Sequence, residues 1–364
     1  MKKKVCFLIP SLNQGGCETY LLRFLRFSGH KIESVVICRS LTSGDLYKKY
    51  MELNIKIVFQ KVSFFNVYYW WRLYRFFAKN NFETVCDFTG NFAGITLWMA
   101  RIAGIKKRVV FYRQSTNHFF ESRLNLLYNR FVNYLVLKNA TKILSNSNAA
   151  IDFFFNKRDK NDNRFLVIYN GIESSQFDIS INNCYSRSDF SIPEKAFIVG
   201  HVGRFDKSKN HQTIINVASK LCSEHPDIYF IICGKGTELL KPNILSLGLD
   251  NKVKILGYVS DVHLIYKIFD IFYFPSITEG QPNALIEAMI SSVPIVASDI
   301  NPIQETVPSF LTCQLVPSMD IIAACDKILE IYKVKNSELI QKTKEWAQMI
   351  YDPHKLFIQF FQNL

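Results

Sequence analysis

Two carboxylates lie close together in the sequence within residues 270–290. Glu279 stands in a short polar loop, and Glu287 follows eight positions later in an apolar run that is typical of a helix. Pro275 ends the preceding run, residues 270–274, whose β-branched and aromatic composition is that of a buried strand. The pattern therefore predicts a strand, a turn and a helix, with Glu279 in the turn and Glu287 on the helix.

The predicted helix start could bind an anion. Asn283 has the side chain of a good N-cap, and Ala284 and Leu285 would form the first turn. Backbone N–H groups and the positive end of the helix dipole suit a phosphate, while carboxylates accept hydrogen bonds from the hydroxyls of a sugar or a ribose. The same residues also fit a capped surface helix with two solvated glutamates.

A second candidate is the loop that holds Arg204 and Lys209, which follows a predicted strand over residues 196–203. An arginine offers a planar fork of donors and a lysine a point charge, so the two cations could clamp a diphosphate. The alternative is an ordinary basic loop.

Glycines occupy two other turns between a strand and a helix. Gly15 and Gly16 would allow a ligand phosphate to approach the backbone at a helix start, although paired glycines in such a turn also serve turn geometry alone. Gly234 begins a Gly-x-Gly turn that lacks the third glycine of a dinucleotide-binding fingerprint.

Charge is distributed unevenly along the 364 residues. Residues 1–170 contain 27 Lys and Arg against 10 Asp and Glu, a balance of +17, whereas residues 171–364 carry 17 against 21, a balance of −4. A basic half indicates anionic partners, which include phosphorylated substrates, a membrane surface and nucleic acid. No zinc-ligand spacing, RNA-binding aromatic signature or base-reading basic helix occurs, so nucleic acid is not expected.

The compartment follows from the cysteines and from the amino terminus. Nine cysteines, an odd number, are widely spaced without a Cys-x-x-Cys pair, which is typical of core residues in a reducing compartment. The apolar run near residue 5 is too short for a signal peptide and ends at Pro10, so a first strand is the better interpretation. With no apolar run of about 18 residues, we expect a cytoplasmic protein without a membrane span.

Predicted strands alternate with helical patterns over most of the chain, which favours parallel, doubly wound sheets. The length suits two domains. Residues 173–193 are rich in Ser and Asn and lack apolar periodicity, so they are the predicted linker between a first domain, residues 1–172, and a second, residues 194–351.

The segment 64–77 contains nine aromatic residues in fourteen positions. Arg72, Arg75 and Lys79 follow at spacings of three and four and would share one face of a helix. Basic residues beside Trp and Tyr suit an anionic membrane interface. The alternative is a crossover helix that buries its aromatic side chains against the sheet.

The Glu-x7-Glu unit continues into Ala288-Met289 and then the run 294–298, and Gly203-Arg204 is followed by a lysine five positions after the arginine. These motifs resemble glycosyltransferase family 4, which comprises retaining enzymes. The resemblance implies a GT-B fold, an α/β architecture of two Rossmann-like, doubly wound parallel-sheet domains facing across a cleft. It also implies that a last helix, about residues 352–364, packs back on the first domain.

The resemblance also implies roles for individual residues. Arg204 and Lys209 would hold the leaving diphosphate, Glu279 the hydroxyls of the donor sugar and Glu287 the ribose. The remaining positions that it points to are the base-binding segment at Tyr258 and Val259, the amino-terminal loop at Gly15 and Gly16, and a donor-sugar histidine at His118. No Asp-x-Asp occurs in the sequence, so no metal and no cofactor other than the donor is expected.

The function expected from this resemblance is transfer of a sugar, by a hexosyltransferase-type enzyme, from a nucleotide sugar, with UDP favoured. The acceptor would be a glycan or a lipid-linked oligosaccharide of a surface polysaccharide, with peripheral contact at the inner face of the cell membrane. Ser292 stands where the family usually has glycine, and Glu305 lacks the small residues usual before it. A nucleotide-sugar epimerase and a non-catalytic interaction protein on the same fold are the alternatives.

Overall fold

The computed structural model describes residues 2–63, 66–113, 123–178, 185–334 and 336–364. The chain divides into two compact units. The first comprises Met1–Asn170 and Pro353–Leu364, and the second comprises Gly171–Asp352. The part of the segment 173–193 that is described belongs to the second unit, where the buried ring of Phe177 lies 6.2 Å from the ring of Tyr266.

The first unit is built on seven parallel strands in the order β3-β2-β1-β4-β5-β6-β7. They are β1 Lys3–Ile9, β2 Ile32–Cys38, β3 Lys56–Phe59, β4 Thr84–Asp87, β5 Lys107–Tyr112, β6 Lys142–Ser145 and β7 Phe165–Val167. Its first six helices are α1 Gly16–Ser28, α2 Tyr47–Met51, α3 Val67–Asn80, α4 Gly94–Ile102, α5 Arg123–Asn139 and α6 Asn148–Phe154.

The second unit has six parallel strands in the order β10-β9-β8-β11-β12-β13. They are β8 Phe197–Val202, β9 Ile228–Cys233, β10 Val253–Gly257, β11 Ile271–Phe274, β12 Ile295–Ser298 and β13 Leu315–Val316. Its helices are α7 His211–Glu224, α8 Lys241–Ser246, α9 Val262–Ile265, α10 Asn283–Ile290, α11 Asn301–Thr306, α12 Ile321–Lys333 and α13 Ser337–Ile350, and α14 Pro353–Gln362 follows in the first unit.

Both sheets are doubly wound, as the alternating sequence pattern predicts, and the predicted fold class of two Rossmann-like domains is confirmed. In each sheet the strand order reverses once, between β1 and β4 and between β8 and β11. Ligands of such sheets bind outside the carboxyl ends of the strands, at the reversal point. The two reversal points are therefore where functional side chains are expected.

Hydrophobic side chains alternate along β1 between two separate cores. Val5, Phe7 and Ile9 join the core that includes α1 and α14, whereas Cys6 and Leu8 join the core that includes α3 and α4. The two faces of the first sheet are thus each covered by a layer of helices, as parallel sheets require. No helix of the described residues is long and apolar enough to cross a membrane.

The carboxyl-terminal helix α14 fills the first core with aromatic rings. The ring of Phe360 is fully buried, and its centroid lies 4.6 Å from that of Phe24 and 5.7 Å from that of Tyr20. The hydroxyl of Thr84 donates to the backbone oxygen of Leu364 at 2.6 Å. The last twelve residues therefore complete the core of a unit that begins at the other end of the chain.

We expect Phe360→Ala to lower the free energy of unfolding by about 3 to 5 kcal/mol, since it removes a large ring from a close-packed core. Phe361→Ala is the matched control, because Phe361 is only partly buried on the same helix. Chemical denaturation followed by circular dichroism measures both. Equal losses in the two variants would contradict the packing role assigned to Phe360.

Candidate active site

The loops that follow β8 and β11 meet at the reversal point of the second sheet. The amide of Ile277 donates to the backbone oxygen of Ser208 at 2.8 Å, and the side-chain amide of Asn210 donates to that of Pro275 at 3.2 Å. Asn210 adopts a left-handed conformation, with φ of 55°, that asparagine tolerates better than most residues. These bonds bring residues far apart in the sequence into one polar edge.

Lys209 and Glu279 form an ion pair across these two loops. Their side chains are 18% and 11% exposed, and the Lys209 ammonium lies 4.9 Å from the centroid of the Phe274 ring. Because a charge in such a place is costly without its partner, removing either side chain would leave a poorly solvated opposite charge. The predicted donor-sugar glutamate and the predicted diphosphate lysine are therefore energetically coupled.

Arg204 lies in the same loop but is held more loosely. Its side chain is 67% exposed, and its guanidinium is 3.8 Å from the carboxylate of Asp206. That carboxylate also accepts from the amide and the hydroxyl of Ser208, and these bonds hold the pKa of Asp206 below its usual value. Arg204 can thus be removed without leaving a buried charge behind.

Gly234 supports this loop through backbone packing. Its φ is +151°, and a Cβ there would lie 1.9 Å from the backbone oxygen of Gly203. The amide of Gly203 donates to the backbone oxygen of Cys233 at 2.8 Å, and the amide of Phe205 donates to that of Lys235 at 2.9 Å. The loop after β8 is therefore joined to the loop after β9 on both sides of Gly234. Glycine is needed at position 234 because the backbone of Gly203 and Arg204 passes directly over it.

The start of helix α10 differs from the prediction at one position. Asn283 is its first helical residue, and Pro282 occupies the N-cap without a side-chain cap, so the expectation of an Asn283 cap is wrong. Pro282 has a φ of −80° and an extended ψ of 96°, so the helical conformation begins one residue later, at Asn283. Leu285 is fully buried and its amide donates to Pro282 at 3.2 Å, whereas Ala284 is partly exposed at the helix start.

Glu287 is oriented by a residue that the sequence does not single out. The hydroxyl of the buried Tyr266 lies 3.2 Å from the Glu287 carboxylate and 3.1 Å from the backbone oxygen of Ala284. Burial, and then the charge of Glu287, raises the pKa of Tyr266 well above its usual value. Tyr266 therefore remains a hydrogen-bond donor. Its separation of 21 positions from Glu287 explains why no local pattern reveals the contact.

The predicted base-binding segment lies along the same edge of the sheet. Tyr258 and Val259 follow β10, and the amide of Gly234 donates to the backbone oxygen of Gly257 at 2.7 Å. The Tyr258 side chain is 56% exposed and Val259 is partly buried. The structure thus brings together at one edge the segments of the second unit that the resemblance assigns to the donor.

The remaining predicted residues belong to the first unit. A Cβ at Gly15 would lie 2.5 Å from the carboxylate of the buried Glu18, whereas one at Gly16 would meet nothing within 4 Å. Glu18 accepts from the hydroxyl of Ser11 at 3.1 Å, so Gly15 makes room for this carboxylate at the start of α1. His118 lies outside the described residues.

Two buried imidazoles lie beneath the Arg204–Lys209 loop. His201 and His211 are 1% and 3% exposed, and their ring centroids are 5.1 Å apart. Burial lowers the pKa of His211 to about 4, although the nearby backbone oxygens of Gly203 and Asp206 favour its charged form. Burial, and then His211, also lowers the pKa of His201 well below its usual value, so both rings are neutral at pH 7.

Among the described residues, no group of three or more His, Cys, Asp or Glu is placed so that it could hold a metal ion. The predicted site residues at this edge of the second unit include two cations, Arg204 and Lys209, and two carboxylates, Glu279 and Glu287. This arrangement can bind a diphosphate through Arg204 and Lys209 and hydroxyl groups through Glu279 and Glu287.

Comparisons with known proteins agree with this arrangement. Residues 185–348 match the family model for glycosyl transferases group 1. The capsular polysaccharide biosynthesis glycosyltransferase CapH of Staphylococcus aureus is 25% identical over 308 residues, which are 82% of this chain and 81% of that protein.

A second relative is the N-acetylgalactosamine-N,N'-diacetylbacillosaminyl-diphospho-undecaprenol 4-alpha-N-acetylgalactosaminyltransferase of Campylobacter jejuni. It is 30% identical over 207 residues, 55% of this chain and 53% of the relative, so the chain spans about half of its length. The crystal structure of Anabaena HepE in complex with UDP has a TM-score of 0.82 at 20% identity and covers 99% of this chain and 98% of that one.

The two doubly wound units, with a polar edge at the reversal point of the second, define a glycosyltransferase of the GT-B fold class. Within this class, residues 185–348, which are most of the second unit, match the glycosyl transferases group 1. Together with the relatives, this match shows that the chain is an enzyme that transfers glycosyl groups.

We expect stability to fall as the pH is lowered from about 6.5 to about 4, because the unfolded His211 binds a proton near pH 6.5 and the folded one only near pH 4. The unfolded state gains more protons in this window. Between pH 7 and pH 5, His211→Gln should remove about 2 kcal/mol of that loss. Denaturation at pH 7 and pH 5 compares the two proteins, with the exposed His30→Gln as control. An unchanged pH slope in His211→Gln would contradict the assignment.

Proposed function

We propose that the protein is a retaining glycosyltransferase of family 4 that uses a nucleotide sugar, with UDP favoured, bound mainly by the second unit. The observation that carries this proposal is the Lys209–Glu279 pair at the reversal point of the second sheet, beside Arg204 and the start of α10. The UDP complex of Anabaena HepE, a protein of the same fold, supports the choice of nucleotide.

The proposed chemistry rests on stabilising the leaving group. As the bond between the anomeric carbon and the diphosphate oxygen breaks, negative charge grows on the diphosphate. Arg204, Lys209 and the amide groups at the helix start would meet that charge, without a metal clamp or a further cofactor. Retention without a protein nucleophile requires the acceptor hydroxyl to approach on the face that the diphosphate leaves, where a diphosphate oxygen can take its proton.

The two glutamates would bind different parts of the donor. Glu279, paired with Lys209, lies where the diphosphate and the sugar would meet, and so would accept from sugar hydroxyls. Glu287, oriented by Tyr266 on the outer face of α10, would accept from the ribose. Tyr258 and Val259 would line the base, and Gly16 leaves open space at the α1 start in the first unit.

We propose a glycan or a lipid-linked oligosaccharide of a bacterial surface polysaccharide as the acceptor. The names of the two relatives support this, since one acts in capsular polysaccharide biosynthesis and the other on a diphospho-undecaprenol substrate. Residues 1–170 contain 27 basic and 10 acidic residues, and this positive balance suits a diphosphate-linked acceptor and an anionic membrane. We therefore place the protein in the cytoplasm, peripherally attached at the inner face of the membrane.

A transfer assay with a panel of UDP sugars and undecaprenyl-diphosphate oligosaccharides tests the proposal. We expect a product whose new linkage keeps the anomeric configuration of the donor by NMR, and turnover that persists in EDTA. An inverted linkage would exclude the retaining mechanism, and loss of turnover in EDTA would exclude the metal-free clamp.

Arg204→Ala should lower kcat by about 100- to 1,000-fold, because one donor to a developing charge typically contributes about 3 to 4 kcal/mol. The melting temperature should not change, since the side chain is 67% exposed. Lys207→Ala is the matched control, because it removes a neighbouring exposed cation of the same loop. Equal effects of the two substitutions would remove Arg204 from the clamp.

Glu287→Gln should weaken binding of bare UDP. Glu279→Gln should not weaken it, because Lys209 then pairs with the diphosphate alone, and should weaken only the intact UDP sugar. A hydroxyl that loses its buried acceptor costs about 1 to 3 kcal/mol, or roughly 5- to 150-fold in Kd. Calorimetric titration of both variants with both ligands measures the four constants. If Glu279→Gln lost UDP as badly as Glu287→Gln, the two glutamates would not have separate roles.

A further inference from the structure

Helix α3 presents two different faces. Leu73 and Phe77 are buried in the core with the first sheet, so the crossover-helix interpretation holds for that face. On the opposite face Tyr68 and Trp71 are 58% and 51% exposed, with their rings stacked at 6.4 Å. The guanidinium of the exposed Arg75 lies 5.0 Å from the Trp71 ring. The outer face thus combines exposed aromatic rings with cations, which the core does not require.

The outer faces of α5 and α4 continue this composition. On α5, Leu127, Phe131 and Tyr134 are 60%, 51% and 54% exposed at spacings of four and three, so they form one stripe along the helix. On α4, Ile102 is 54% exposed next to the exposed Arg101. The sequences of α4 and α5 do not reveal these exposed apolar residues, because an apolar residue can be assigned to the surface only when the buried face of its helix is known.

The three helices form one layer on the same face of the first sheet. The rings of Trp70 on α3 and Trp98 on α4 are 6.1 Å apart, and the guanidinium of Arg101 on α4 donates to the backbone oxygen of Lys138 on α5 at 3.4 Å. We call the outward side chains of α3, α4 and α5 the three-helix surface. It extends over three helices of which α4 contacts both α3 and α5.

The charge of this layer has one sign. None of the three helices contains an Asp or a Glu, and together they contain seven basic residues: Arg72, Arg75, Lys79, Arg101, Arg123, Arg130 and Lys138. Groups of exposed apolar side chains on one face of a protein commonly mark an interaction site. The partner that fits is anionic and has an apolar layer beneath its charge.

We propose that the three-helix surface docks on an anionic lipid bilayer, with its cations among the phosphate headgroups and its Trp, Tyr, Phe and Leu side chains at the boundary with the acyl chains. Amphipathic Tyr and Trp rings favour the interface between headgroups and acyl chains. The Arg and Lys side chains among them add electrostatic attraction to anionic lipids. This inference rests on the proposed function, in which a lipid-linked acceptor must be reached from the membrane surface, and it assigns that contact to particular side chains.

Co-sedimentation with vesicles tests the assignment, using phosphatidylcholine with and without phosphatidylglycerol at low salt. We expect the full chain to bind only the anionic vesicles and to be released by salt. Arg72→Glu with Arg75→Glu should weaken binding by at least about 30-fold, since each lost cation is worth about fivefold and charge reversal adds repulsion. Lys48→Glu with Lys49→Glu, on α2 at the opposite face of the sheet, makes the same change in net charge and should have little effect.

Trp71→Ser with Phe131→Ser tests the apolar part. We expect at least tenfold weaker vesicle binding and an unchanged melting temperature, because both side chains are half exposed. Full binding by this variant would overturn the proposal and leave a general anion-binding surface for an acidic protein or a nucleic acid. Equal losses from the α2 control, or no binding by the unchanged protein, would overturn it as well.

Transfer to a detergent-solubilised acceptor separates this inference from the proposed function. We expect Arg72→Glu with Arg75→Glu to keep normal turnover there, since neither residue is assigned to the donor. If the unchanged protein bound vesicles but transferred no sugar, the proposed function would fail while the membrane contact stood. If it transferred sugar but bound no vesicles, only the surface assignment would fail.

Discussion

The ion pair between Lys209 and Glu279 depends on the reversal of strand order in the second sheet. β8 and β11 are neighbours whose following loops lead to opposite sides of the sheet, so the space outside their carboxyl ends is not filled by either helix. Two opposite charges with only 18% and 11% exposure occupy that space. Such a pair is stable only in good geometry, because desolvation of both groups opposes it.

The backbone around the pair supplies that geometry. The side-chain amide of Asn210 donates to the backbone oxygen of Pro275 and, at 2.8 Å, to that of Ser318. Gly234 lets the loop that holds Asn210 lie against the end of β9. From there a hydrogen bond continues to Gly257 beside the proposed base site. The positions proposed for diphosphate, sugar, ribose and base are therefore fixed relative to one another by one rigid edge, which suits catalysis by a preorganised charge distribution.

The first unit uses its two sheet faces differently. One face is closed by α1 and by α14, whose Phe357 and Phe360 pack between Tyr20 and Phe24. The other is covered by α3, α4 and α5, which bury one side of each helix and leave aromatic and basic side chains outward. These outward side chains are the ones proposed to contact a membrane. The basic excess that accompanies them belongs to the first half of the chain, since residues 171–364 have an acidic balance.

The sequence by itself determined the alternation of strands and helices, the placement of Glu279 in a turn and Glu287 on a helix, and the unusual composition of α3. These follow from local periodicity, from proline and glycine, and from charge, which act over a few residues. The cap of α10 was mispredicted because Asn283 has a good cap side chain but Pro282 fixes the backbone one residue earlier.

Only the tertiary structure decided which distant residues meet. The Lys209–Glu279 pair spans 70 residues, and the hydrogen bond of Tyr266 to Glu287 spans 21. Whether an aromatic residue of α3 or α5 is core or surface likewise depends on which side of the helix faces the sheet. Chain topology sets these contacts, since each requires two elements to be packed before its side chains can interact, and no local pattern encodes that.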